Sequence, residues 1–165
     1  MTYELNDIIN AIIYDNYIYQ INQWIPKKLI EIPDNRKLNI LLYFTQASFL
    51  SIKNKSAFKE KITVLSKQLI PKITNFERKN IDISFKRIEK WYFKLNEKDK
   101  KIIKFVNETF WEYSLPTLIN LIKNHEPFKE AILRDSKFIT KKRLKEYYKN
   151  IIKYDFISFK INNNE

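Results

Sequence analysis

The chain has 165 residues, of which 44% are hydrophobic and 15% aromatic, and its formal net charge is +12. This apolar content is enough to close the core of one domain, and it excludes disorder over most of the chain. Because the chain has neither Cys nor Gly, it cannot form disulfides, use a thiolate nucleophile, or build the glycine-rich phosphate loops of the P-loop, dinucleotide-binding and kinase families.

The N-terminal segment, residues 5–25, is predicted to form a helix, since its apolar residues recur at helical spacing. Tyr14 and Tyr19 widen the apolar surface beyond one stripe, so this helix should be covered on more than one side. Tyr14, Tyr17 and Trp24 are also residue types that protein interfaces favour. The segment is therefore either a central core helix or the interface of a homodimer or partner complex, and its broad apolar surface favours the core.

Two further helices are predicted before residue 71. Asp34 or Asn35 caps a helix over residues 36–52. Ser56 opens the next helix, and Pro71 ends it. The buried face of this third helix is expected to consist of Phe58, Ile62, Leu65 and Leu69.

Residues 72–83 are predicted to be an irregular connection, after which helices follow in close succession. Ser84 caps a helix that reaches residue 95, and Asn96 caps the next one. Pro116 and Pro127 are each placed in the first turn of a short helix.

The last helix is predicted to begin at Thr140 and to extend to about Asp155, whereas residues 156–161 alternate like a strand. Together these elements predict an all-α fold: a single compact domain of seven to eight helices over residues 1–161, with a short C-terminal extended segment. Residues 162–165 are expected to be a disordered tail.

No segment of the sequence is expected to enter a membrane. The longest apolar stretch, residues 38–50, is shorter than the roughly 20 residues that cross a bilayer. Glu4 and Asp7 stand where a secretory signal would carry positive charge. We therefore expect a cytoplasmic protein.

The positive charge is unevenly distributed along the chain. Residues 1–35 contain two Lys against five acidic residues, whereas residues 36–165 contain 29 basic against 14 acidic residues. Nucleic acid is the partner that such a surface would favour, because basic side chains release its condensed counterions. A very AT-rich coding sequence is an alternative source of the 26 Lys, but it would not segregate the charge along the chain.

A first basic stripe lies in the helix predicted over residues 84–95, opposite its apolar face. Its basic members are Lys86, Arg87, Lys90 and Lys94. Phe93 lies among these charges, where its ring could stack on a base or insert into a groove. Alternatively, Phe93 packs against a neighbouring helix while the lysine stems surround it.

A second stripe lies on the last predicted helix, with two more basic residues in its first turn. The stripe is Lys142, Lys145, Lys149 and Lys153, and the additional residues are Lys141 and Arg143. Residues 127–150 resemble a helix-turn-helix whose recognition helix would be residues 140–150, although the turn, residues 135–139, is long and lacks Gly. The alternative is an ordinary solvated lysine face on a terminal helix.

Catalytic and metal-binding patterns are weak in this sequence. His125 is the only histidine, and its position before Pro127 is typical of a surface turn. Glu108 and Glu112 have the i, i+4 spacing of two carboxylates that share a divalent ion, but the sequence supplies no third ligand. We therefore expect no enzyme activity, no cofactor and no metal.

The leading hypothesis is a nucleic-acid-binding protein, more specifically one that binds DNA. Its two lysine stripes would contact phosphates, and Arg87, Arg143 or Phe93 would add discrimination. The alternative is a protein-interaction module, such as an inhibitor, immunity protein or adaptor, that binds an acidic partner.

Overall fold

The structure, a computed structural model, describes residues 2–65, 70–76, 85–134 and 138–162. Seven α-helices and three short strands lie within these residues. In chain order they are α1 (Leu5–Asn22), α2 (Asn35–Lys53), β1 (Ile62–Leu65), β2 (Ile70–Ile73), α3 (Phe85–Tyr92), α4 (Glu97–Phe110), α5 (Leu115–Asn124), α6 (Glu126–Leu133), β3 (Phe138–Ile139) and α7 (Lys141–Asn162).

The centre of the fold is α2, which is buried at every position from Leu38 to Leu50. The helix begins as predicted, because the Asp34 carboxylate accepts a hydrogen bond from the Lys37 backbone N–H at 2.7 Å. It ends at Asn54, which adopts the left-handed conformation with φ 57°. Helices α1, α4, α5 and α7 and strand β2 all pack around it.

Helix α1 is covered on more than one side, which confirms the prediction of a central helix. It packs against α2, α3 and α4, and its buried residues extend around most of its circumference. Tyr14 packs against Tyr92 with 4.9 Å between ring centroids. Trp24, which follows the helix, is instead 92% exposed.

The prediction of a third helix over residues 56–69 is wrong. Residues 62–65 form β1, which pairs antiparallel with β2 and places Ile62 opposite Ile73. On its other side β1 pairs with β3, so the strand order is β2-β1-β3 and the fold is mostly helical rather than strictly all-α. The residue types explain the strand, because β-branched residues favour extended backbone and Pro71 fits an edge strand.

Buried polar side chains of α2 hold this part of the chain in its extended form. The Asn39 side-chain oxygen accepts a hydrogen bond from the Ile73 backbone N–H at 2.9 Å. The Gln46 side-chain oxygen accepts one from the Ala57 N–H at 2.8 Å. The Gln46 amide nitrogen donates to the Phe58 carbonyl at 3.3 Å, so α2 satisfies backbone groups that a helix would otherwise pair internally.

The predicted extended segment over residues 156–161 is also wrong, because α7 continues through it to Asn162. The buried face of α7 repeats every four residues and includes Phe156 beyond the predicted helix end; its members are Leu144, Tyr148, Ile152 and Phe156. Because Phe156 is buried against the core, the helix continues past its predicted end at about Asp155. Residue 162 belongs to α7, and residues 163–165 of the predicted tail lie outside the described residues.

Other helix starts agree with the sequence. The Asn96 side chain accepts a hydrogen bond from the Asp99 N–H at 3.0 Å at the start of α4, and the Ser114 hydroxyl accepts one from the Thr117 N–H at 3.3 Å at the start of α5. Pro116 and Pro127 lie in the first turns of α5 and α6.

Some of the predicted features lie outside the described residues. They are Ser84, Leu69, residues 77–83 of the predicted connection and residues 135–137 of the predicted turn.

Buried apolar residues from all seven helices form one continuous core. The strands contribute Ile62, Ile70, Ile73 and Ile139 to the same core. In the part of the chain that the structure describes, no helix is both long enough and apolar enough to cross a bilayer.

Candidate nucleic-acid interface

The lysine stripe on α7 flanks the buried face of that helix. Lys142, Lys149 and Lys153 are exposed, whereas Lys145 is partly buried. Since α7 packs chiefly on α2, these lysines lie beside the α2–α7 seam and point away from the core. This exposure is compatible both with phosphate contacts and with an ordinary solvated lysine face, so the binding role of the stripe stays a prediction.

The two basic residues in the first turn of α7 are engaged with the rest of the protein. The Lys141 ammonium donates hydrogen bonds to the carbonyls of Phe58 and Lys59 at 3.1 and 3.3 Å, and burial lowers the pKa of Lys141. The Arg143 guanidinium pairs with the Glu130 carboxylate on α6 at 2.8 Å. Both side chains therefore fasten α7 to its neighbours, and contact with nucleic acid stays a prediction for them.

The first stripe is described only in part. Lys90 and Lys94 are exposed, and the side chains of Lys86 and Arg87 lie outside the described residues. Helix α3 ends at Tyr92, so Phe93 and Lys94 lie in the turn that follows it. Phe93 is 63% exposed and touches the Tyr92 ring edge-on, so it does not pack between helices.

A cavity that the sequence did not reveal lies between α2, α4 and α7. It has a volume of about 320 Å³, and we call it the basic cavity because every charged residue that lines it is a lysine. These lysines come from the end of α2 and the start of α4 and are Lys53, Lys55, Lys98 and Lys101. Its apolar lining consists of Ile52, Ile102 and Phe156.

Asp99 fixes the two helix ends that form the basic cavity. Its buried carboxylate pairs with the Lys53 ammonium and so joins the end of α2 to the start of α4. It also accepts hydrogen bonds from the Tyr3 hydroxyl at 2.7 Å and from the Asn96 amide at 2.8 Å. Burial and the neighbouring Asp99 raise the pKa of Tyr3 to about 12. This network holds the cavity lysines on a rigid support.

The start of α4 lies between the turn that carries Phe93 and the basic cavity. The Lys100 ammonium lies 5.0 Å from the centre of the Phe93 ring and pairs with Glu97 at 2.6 Å. On the other side, Lys98 and Lys101 reach the cavity, which Phe156 of α7 also lines. Lys153 lies almost one helical turn before Phe156, about 4.5 Å along the axis.

We call the resulting surface the basic face. It comprises Lys53, Lys55, Lys98, Lys101, Lys149 and Lys153. Sequence reasoning found the α7 members through their four-residue repeat, but it missed the others. In the sequence these lysines appear only as two short runs, Lys53-Asn54-Lys55 and Lys98 to Lys101. The two runs form one surface only because the end of α2 meets the start of α4 in the fold.

The connection between α6 and α7 does not support the resemblance of residues 127–150 to a helix-turn-helix. That connection contains β3, which pairs with β1, so it is anchored to a sheet and is not the short turn typical of the motif. Helix α7 is 22 residues long and is fastened to α6 by the ion pair of Arg143 with Glu130. The recognition-helix role of residues 140–150 stays a prediction.

His125 lies in the turn between α5 and α6, as predicted, but its ring is partly buried rather than on the surface. Its Nδ1 is hydrogen-bonded to the Tyr148 hydroxyl, and its ring packs edge-on against Phe44 and Tyr148. Burial lowers the pKa of His125 to about 4. These contacts give His125 a structural role in joining α5 to α7.

Glu112, one of the two carboxylates considered for metal binding, is engaged by a tyrosine. Glu112 follows the end of α4, and its carboxylate accepts a hydrogen bond from the Tyr19 hydroxyl at 2.8 Å. Within the described residues, no three His, Asp or Glu side chains come together to hold a metal ion.

A buried carboxyl group that sequence reasoning missed is Asp15 on α1. It accepts hydrogen bonds from the Asn107 amide at 2.8 Å and the Tyr92 hydroxyl at 3.3 Å, and burial raises its pKa to about 6. The group faces the α1–α3–α4 interior, so it supports packing rather than an exposed site.

Comparison of the chain with protein families, with curated proteins and with solved structures found no match. The charge, exposure and contacts of the residues in the basic face are therefore the grounds for assigning a function.

Proposed function

We propose that the protein binds nucleic acid, DNA in the first place, by contacting backbone phosphates through the basic face. The observation that carries the proposal is the clustering of four lysines from the end of α2 and the start of α4 around one cavity, which Phe156 of α7 also lines. Lys149 and Lys153, which precede Phe156 on α7 by seven and three residues, are exposed. Such a surface gains affinity because each phosphate contact releases condensed counterions. A cytoplasmic location stays a prediction.

The chemistry of the basic face favours binding that does not depend on sequence. Lysine ammonium groups act as point charges on phosphates, whereas sequence discrimination usually requires the bidentate fork of arginine. Of the two arginines predicted to add discrimination, Arg143 is paired with Glu130, and the side chain of Arg87 lies outside the described residues. We therefore expect a uniform affinity for nucleic acids of different sequence.

Exposed aromatic side chains near the first stripe add to the proposal. Phe93 is exposed beside Lys90 and Lys94, in the same turn that contacts the start of α4. An accessible ring among lysines can stack on an unpaired base. This turn is therefore a second place where a bound strand would touch the protein.

The alternative function, a protein-interaction module, is favoured by a separate surface. Trp24 is 92% exposed and has a positive φ of 60°, and Leu29 in the same connection between α1 and α2 is 60% exposed. Tryptophan is enriched at the centres of protein interfaces. A partner chain or a second copy of this chain would bind there without using the basic face.

Matched charge removals test the proposal. Lys55→Gln combined with Lys98→Gln removes two exposed charges from the basic face, and Lys27→Gln combined with Lys28→Gln removes two exposed charges from the connection before α2. The first pair lies at the cavity beside the end of α2, whereas the second pair lies in the connection that precedes this helix of 19 residues. Fluorescence anisotropy with labelled DNA measures the dissociation constants.

We expect the Lys55/Lys98 variant to bind on the order of ten-fold more weakly at moderate salt, and the Lys27/Lys28 variant to bind almost as tightly as the unchanged protein. Equal losses in the two variants would show that only net charge matters. Absence of DNA and RNA binding by the unchanged protein at low salt would leave the interaction-module function as the better account.

A further inference from the structure

The basic cavity has two kinds of lining, and phosphate contacts alone explain only one of them. Its charged residues are all lysines, whereas Ile52, Ile102 and Phe156 line it with apolar surface. A ligand that fills such a site carries an apolar or aromatic group next to negative charge. A single nucleotide unit has this combination, since its base is a flat ring system and its phosphates are anionic.

The size of the cavity limits what can enter. Its volume of about 320 Å³ is at the lower end of the range of small-molecule sites, roughly 300 to 1,000 Å³. It therefore has room for one base-sized group and not for a longer folded segment. In a duplex the bases are stacked inside the helix, so only an unpaired or extruded base could reach the apolar lining.

Phe156 supplies an aromatic surface in the cavity. Its ring packs edge-on against Phe105 at 5.4 Å, so core packing holds the ring in place. Phe156 is only 6% exposed, so the edge of its ring, and not its whole face, borders the cavity, and a base would touch this edge beside Ile52. Contact with an aromatic side chain tolerates every base, because each base has a π-face. A base in contact with Phe156 would leave its phosphates near Lys153, which lies almost one helical turn away.

The charges around the cavity fit phosphates on either side of such a base. Lys53 is paired with Asp99 and serves mainly to hold the site together. Lys55 and Lys98 are exposed at the ends of their helices. Asp155, the acidic neighbour of Phe156 on α7, is exposed and does not line the cavity.

We infer that the basic cavity receives one unpaired base of a bound strand, so the protein prefers single-stranded over double-stranded nucleic acid. This inference rests on the proposed function and specifies its substrate class. Phe156 and Ile52 would contact the base, and Lys55, Lys98 and Lys153 would contact the flanking phosphates.

The test compares ligands of equal length, of which the oligothymidine and the abasic strand also carry equal charge. Anisotropy measurements use a labelled oligothymidine, the corresponding duplex, and an abasic strand that keeps the sugar-phosphate backbone but lacks bases. Because only the edge of Phe156 is accessible, we expect the lower end of the range for a stacked base, so oligothymidine should bind about five-fold more tightly than the abasic strand. Competition with free thymidine monophosphate measures whether a mononucleotide suffices.

Two variants locate the effect in the cavity. Ile52→Trp fills the cavity while leaving its lysines in place, and Phe156→Leu removes the aromatic ring while keeping an apolar residue. Both should bring the affinity for oligothymidine down towards that for the abasic strand, which should itself change little. Ile132→Trp, on an exposed position of α6, is the control for a large new side chain and should leave both affinities unchanged. Circular dichroism identifies any variant that fails to fold.

The outcomes separate this inference from the proposed function. If the unchanged protein binds oligothymidine and the abasic strand equally, the base is not recognised and the inference fails while phosphate binding stands. If Phe156→Leu folds and keeps the full preference for bases, the cavity is not their site. If thymidine monophosphate competes as strongly as oligothymidine, the ligand is a free nucleotide and not a strand. If none of the nucleic acids binds at low salt, the proposed function itself is overturned.

Discussion

Asp15 and His125 are buried titratable side chains whose pKa values move in opposite senses. Burial raises the pKa of Asp15 to about 6 and lowers that of His125 to about 4. In each case the folded protein favours the neutral form, because a charged form would have to leave water. The two residues therefore affect stability in the same pH range but with opposite signs.

For Asp15, the pKa is 3.8 in an unfolded chain and about 6 in the fold. The contribution of protonated Asp15 to the free energy of unfolding is therefore present in full below pH 3.8 and is lost as the pH rises through 6. Asp15→Asn removes this titration. We expect the stability of the unchanged protein to fall relative to the variant by up to about 3 kcal/mol between pH 3.8 and 7, measured by urea unfolding. Parallel pH profiles for the two proteins would contradict the burial of this carboxyl group.

For His125, the pKa is 6.5 in an unfolded chain and about 4 in the fold. The stability associated with the neutral ring is complete above pH 6.5 and is lost as the pH falls through 4. The unchanged protein should therefore lose stability on acidification, and His125→Gln should lack this loss. Asp15→Asn has the opposite effect, because it removes a loss of stability that occurs as the pH rises. Urea unfolding of the unchanged protein and the variant between pH 4 and 7 measures it, and a variant that keeps the full acid-induced loss would assign that loss to another group.

These residue roles could not be predicted from the sequence because their partners are distant along the chain. Asp15 meets Tyr92 and Asn107, which lie 77 and 92 positions away. Asp15 is one of several polar residues on α1, and no local pattern distinguishes it as the buried carboxylate. His125 was placed correctly in a turn, but its burial depends on Tyr148 in α7.

At the level of elements, helix starts were predictable and the sheet was not. Asp34, Asn96 and Ser114 each accept a hydrogen bond from a backbone N–H in the first turn of their helices, and such caps are local signals. The spacing of Phe58, Ile62, Leu65 and Leu69 also suits a helix, which explains the wrong prediction. Pairing with β3 and hydrogen bonds from α2 decide the structure, and both are long-range interactions.

Gln46 provides a test of how α2 supports the sheet region. Gln46→Met keeps the length of the side chain but leaves the buried Ala57 N–H without its partner, so we expect a loss of about 1–3 kcal/mol in the free energy of unfolding. Thr45→Val is the matched control, because the Thr45 hydroxyl only donates to the Leu41 carbonyl within α2. Denaturant unfolding measures both, and a loss in Thr45→Val as large as that in Gln46→Met would contradict the supporting role.

At the level of the whole molecule, lysines that are far apart in the sequence come together around one cavity. Lys53 and Lys55 at the end of α2 line the same cavity as Lys98 and Lys101 at the start of α4, and the exposed Lys153 of α7 lies three residues before Phe156, which also lines it. The lysine repeat on α7 predicted part of this surface. The contribution of α2 and α4 could not be predicted, because it depends on the Lys53–Asp99 pair that brings their ends together.

The most direct test of phosphate binding by the basic face is the salt dependence of affinity. A variant with Lys55, Lys98, Lys149 and Lys153 all changed to Gln is compared with one in which Lys27, Lys28, Lys72 and Lys129, exposed positions outside the basic face, are changed to Gln. The dissociation constant for single-stranded DNA is measured at several salt concentrations. For the basic-face variant we predict that the log–log slope falls in magnitude by about 0.7 per lost contact, or roughly 3 in all, with no change for the control. An unchanged slope in the basic-face variant would contradict the account.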